Sequence, residues 1–71
     1  MNEKGIEQAL SMMQGALDEA STILTYTRIY QTLSDANAIA EMKEIISDEL
    51  NHIERFVVSY AKLIGIEIAE D

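Results

Sequence analysis

Leu33-Ser34-Asp35-Ala36-Asn37 decides how this chain folds. Ser, Asp and Asn favour turns and helix N-caps, because their short side chains hydrogen-bond nearby backbone N–H groups. On either side of the cluster the sequence has a helical period. Before it, Ile6, Leu10, Met13, Leu17, Ala20 and Leu24 recur at alternating steps of four and three. After it, Ile39, Ile46, Leu50, Ile53, Val57, Tyr60 and Ile64 keep the same rhythm, with one polar gap at Lys43. Gly65 stands where a C′ glycine ends a helix, and Ile66 is placed to fold back onto the last turn. The pattern predicts an all-α antiparallel hairpin, residues 1–71 forming one domain. Helix 1 is expected over about 3–33, the turn over 34–37, helix 2 over about 38–64 and a short tail over 65–71. Each helix would be near 40 Å long at about 1.5 Å per residue.

Each helix carries a second stripe. In helix 1 it runs Ala9, Met12, Ala16, Glu19, Ile23, Tyr26, Tyr30, Leu33, and in helix 2 Ala38, Met42, Ile45, Glu49, His52, Phe56, Ser59, Leu63. Both have the spacing of a bundle seam. One stripe per helix is enough to close a hairpin; two adjacent stripes make a face too wide for one partner helix to cover. A monomer does not leave such a strip uncovered along its length. The expectation is a homodimer, or higher homo-oligomer, in which two hairpins complete a four-helix bundle.

Composition narrows the partners. The chain has 71 residues, 48% of them apolar, with thirteen acids against five Lys and Arg and a formal net charge of −8. So short a domain is marginal alone, and without cysteine it has no disulfide to staple it. Oligomerisation or a metal remains. The acidic balance argues against nucleic acid and against an anionic membrane surface as partners. Charges spread through the first twenty residues leave no signal-peptide core, and no apolar run approaches the about 20 residues of a membrane span. A cytoplasmic protein is expected.

Three ionisable residues interrupt the apolar stripes: Glu19, Glu49 and His52. Burying a carboxylate without a partner is costly, so their positions call for an explanation. Glu49 and His52 form Glu-x-x-His, an i, i+3 pair on one side of a helix. With the turn centred between Asp35 and Ala36, residues whose numbers total 71 lie opposite one another. Glu19 is then level with His52, and Gly15 with Phe56, whose close packing accounts for a glycine inside a helix. A two-fold axis at the Glu19 level would gather four carboxylates and two imidazoles, the ligand set of di-iron carboxylate bundles. Four carboxylates balance two divalent ions, and a carboxylate-rich shell with little nitrogen and no sulfur suits iron, or manganese, better than zinc. The alternative is a structural ion pair or hydrogen-bonded cluster, since Glu-x-x-His also occurs by chance in Glu-rich helices.

These residues, with the surrounding Ile45-Ile46-Ser47-Asp48-Glu49-Leu50-Asn51-His52-Ile53-Glu54-Arg55-Phe56, resemble half of a ferritin-like di-iron protein of rubrerythrin type. The likeness is to encapsulated ferritins, hairpins that pair into a four-helix bundle, and it covers roughly residues 10–63. It implies ferroxidase chemistry, with two ferrous ions at a dimer interface oxidised by dioxygen. It also implies that Glu49 bridges the metals, Glu19 binds one terminally and His52 supplies the nitrogen. Tyr26, seven residues after Glu19, matches a tyrosine of that group and is a candidate redox or hydrogen-bonding neighbour. Thr25 stands where an aromatic often precedes that tyrosine. The acidic tail Gly65-Ile66-Glu67-Ile68-Ala69-Glu70-Asp71 does not read as a docking peptide for an encapsulin shell.

Tyr30 reads as packing near the bundle end, and Glu44 and Glu54 as solvated outer residues. No strand-to-helix nucleophile turn or glycine-rich phosphate loop is present. The rival to a metal protein is a metal-free helical interaction module that uses the wide apolar face to bind a partner.

Overall fold

The computed structural model describes residues 3–65, and the fold is a two-helix hairpin. Helix α1 spans Glu3–Thr32 and α2 spans Ala36–Ile64, with no strand among the described residues. Helix α2 begins two residues before the expected 38. Ala36 and Asn37 have the composition of a loop, but Asp35, at φ −75° and ψ 128°, is the N-cap. Its carboxylate accepts a hydrogen bond from the Ala38 N–H at 2.9 Å, and the Ile39 N–H bonds its carbonyl at 3.0 Å. The first bond satisfies one orphan donor of the first turn, and the second is the first regular bond of the helix.

Gly65 closes α2 as expected. At φ 80° it adopts the left-handed conformation that glycine tolerates, and its N–H reaches the carbonyls of Ala61 and Lys62. Lys62 in the last turn complements the helix dipole. The fold-back of Ile66 and the rest of the tail lie outside the described residues. No described helix is long and apolar enough to cross a membrane.

The hairpin is a single layer, 51 × 25 × 12 Å. Its radius of gyration is 15.5 Å, against about 11 Å for a compact chain of this length. Its accessible surface is 5555 Å², where a folded monomer of this mass exposes about 4,450 Å². Among the described residues only Ala9, Ala16 and Ala61 are buried, and no large side chain is fully enclosed. Stable domains pack at least two layers around a core, and this chain supplies one.

The two stripes of α1 have different fates. Ala9 and Ala16, with the half-buried Met12, Glu19, Ile23, Tyr26 and Tyr30, turn toward α2. The other stripe stands in solvent: Ile6 is 47% exposed, Leu10 62%, Leu17 60% and Leu24 62%. Small side chains explain the choice. Alanines at the seam let the helices approach closely, and the bulkier leucines are turned outward.

Candidate metal centre

Glu19 comes from the middle of α1, and Glu49 and His52 from consecutive turns of α2. The antiparallel register brings them to one level. His52 Nδ1 lies 3.8 Å from Glu19 Oε1 and 3.7 Å from Glu49 Oε2. One donor atom from each residue falls within 4.8 Å of the other two. Among the described residues this is the one group of three or more His, Asp and Glu side chains close enough to share an ion. The register relation that placed Glu19 opposite His52 is therefore matched in three dimensions, and Gly15 against Phe56 follows the same rule.

The cluster is neither a closed core nor an open surface. The Glu49 side chain is 18% exposed, Glu19 26% and His52 46%. The carboxylates sit in the seam between the helices, while the imidazole stands at its edge and borders a cleft of about 360 Å³. Met12, Glu19, His52, Arg55, Phe56 and Ser59 line that cleft. Ile45, Asp48 and Asn51 continue the surface along α2 beyond Glu49 and His52.

The separations bear on what holds the three together. They exceed hydrogen-bonding distance, so the imidazole faces both carboxylates without bonding either. Donors on a shared ion at about 2.1 Å stand about 3–4 Å apart, so small rotamer adjustments would bring all three onto one ion. The donor set fits a divalent first-row metal of intermediate hardness: two hard carboxylates and one imidazole nitrogen. One chain offers three donors and leaves the cleft side open, where further donors could enter.

The fourth candidate, Tyr26, is half-buried on the Glu19 stripe, seven residues and about 10 Å of helical rise away. No hydrogen bond joins its hydroxyl to Glu19, Glu49 or His52. Arg55 is a neighbour that the sequence reading did not single out. It follows His52 by three residues and lines the same cleft, as i, i+3 spacing dictates. No family model, curated protein or solved structure matched this chain in comparison.

Proposed function

We propose that this protein is a ferritin-like di-iron carboxylate protein that binds two metal ions between two copies of the hairpin and oxidises Fe(II). The observation that carries this reading is the convergence of Glu19, Glu49 and His52 at one level, with donor atoms within 4.8 Å. A second hairpin laid across the cleft side doubles the set to four carboxylates and two imidazoles and supplies the missing layer of the fold. The four carboxylate charges then balance two divalent ions, with neutral histidines completing the shell.

In this arrangement Glu19, Glu49 and His52 would hold the metal, with Glu49 as the bridging ligand and Glu19 as the terminal one that the ferritin-like resemblance implies, and His52 would contribute Nδ1, the atom that faces both carboxylates. Iron enters as the substrate: two ferrous ions lose one electron each, and one dioxygen takes both with two protons to give hydrogen peroxide. Manganese fits the same donors. Met12 and Phe56 supply apolar surface to the cleft beside the site. The reading places the protein in the cytoplasm, where ferrous iron is available.

Metal analysis after anaerobic loading with Fe(II) tests this directly. About one iron per chain is expected, lost in Glu49→Ala. Protein that remains metal-free with Fe(II) in excess overturns the proposal. The exposed Ile6, Leu10, Leu17 and Leu24 favour a second reading, a metal-free interaction module, which predicts that second result.

A further inference from the structure

The metal reading leaves the outer edge of α1, turned away from α2, bare. Helical geometry at about 100° per residue places Leu10, Leu17 and Leu24 about 160° around α1 from Glu19. A second copy seated over the metal cleft therefore does not cover them. All three are at least 60% exposed. They recur every seven residues, the repeat that keeps a straight seam along a partner helix.

We propose that this leucine face of α1 pairs with the same face of a second copy, the two helices antiparallel about a two-fold axis at Leu17. Two observations support a copy of this chain as the occupant. The leucines are symmetric about Leu17, so Leu10 of one chain meets the partner's Leu24 and Leu17 meets its own counterpart, as an isologous contact requires. The flanking charges are complementary under the same operation. Glu7 lies ten residues before Leu17 and Arg28 eleven after, so Glu7 falls within about 1.5 Å of rise of the partner's Arg28. Both are exposed. With the metal face also paired, the assembly contains four chains or more.

The seam needs no metal, so its test separates it from the ferroxidase reading. Light scattering after size exclusion, at one chain concentration, reads the mass of wild type, Leu17→Glu and Glu49→Ala. Leu17→Glu, which sets two carboxylates together on the axis, is expected to leave the metal-paired dimer, half the wild-type mass or less, with its iron content unchanged. Glu49→Ala loses iron and remains at least dimeric. A helical Leu17→Glu variant with the wild-type mass overturns the proposal, as does a monomeric wild type, the result expected if the face serves a different protein. Should Leu17→Glu fail to fold, the charge pair decides. Glu7→Arg and Arg28→Glu alone should each weaken association about threefold or more, and together restore it. A double variant no better than the singles overturns the antiparallel register.

Discussion

A β-carbon placed on Gly15 would lie 2.6 Å from Cε1 of Phe56, so the phenyl ring rests directly on the backbone of α1. This contact fixes the distance between the helices one turn from the candidate centre, because Phe56 follows His52 by four residues and lines the same cleft. The seam can close over two partly buried carboxylates because a glycine and two alanines let α2 come near.

Gly15→Ala should therefore disturb more than its own helix. Alanine gains about 1 kcal/mol in helix propensity, but overpacking costs about 1–3 kcal/mol. The ring's way out is into the cleft beside His52. The expected result is a net loss of up to about 2 kcal/mol together with weaker metal binding. In a Phe56→Leu background the same alanine should be neutral or stabilising. Thermal unfolding and iron titration of the four proteins check this, and additivity between the two positions would refute the contact as the cause.

The start of α2 rests on one side chain. Asp35→Ala removes the acceptor for the Ala38 N–H and should cost about 1 kcal/mol. At this chain length that lowers Tm by about 4–8 °C. Asp35→Asn keeps an acceptor oxygen and should melt close to wild type. Equal melting of the alanine and wild-type proteins would show that the cap is not what starts this helix.

Those two sites also show how far the sequence could be read. The register was legible because a turn cluster between two periodic runs allows one antiparallel alignment, and that alignment placed Gly15 on Phe56 and Glu19 level with His52. The choice of stripe for the seam was not legible, since both stripes of α1 have the same spacing. Packing distance decided it, through the small volumes of Ala9 and Ala16. The first residues of α2 are not legible either, because Ala36 and Asn37 resemble a loop in composition, whereas the cap geometry of Asp35 assigns them to the helix. The place of Arg55 is hidden in the sequence for a related reason: a charged residue outside the stripes becomes part of a site only when the cleft that it borders is known.

Tyr26 offers a narrower test. Its hydroxyl bonds none of the three clustered side chains, so Tyr26→Phe should keep both the iron stoichiometry and the initial oxidation rate of wild type. Absorbance of ferric product after mixing with Fe(II) in air measures the rate. A variant that binds iron fully and oxidises it slowly would assign the hydroxyl a redox role, contrary to this expectation.

Metal should act as the staple that this cysteine-free chain lacks. Among the described residues only three alanines are buried, so much of the stability must come from what joins two layers. An ion held by Glu19, Glu49 and His52 of both copies binds the folded pair and not the separated, unfolded chains. By linkage, a metal at one hundred times its dissociation constant then adds about 2.7 kcal/mol. With about 4–8 °C per kcal/mol at this size, Tm should rise by about 11–22 °C. Melting followed by circular dichroism at one chain concentration, with Fe(II) under argon or with Mn(II), measures the shift. Chelator should reverse it, and Glu49→Ala should abolish it while retaining the helical signal. An equal Tm with and without metal would mean that the three side chains hold no ion tightly enough to join the layers, and that apolar contact alone does so.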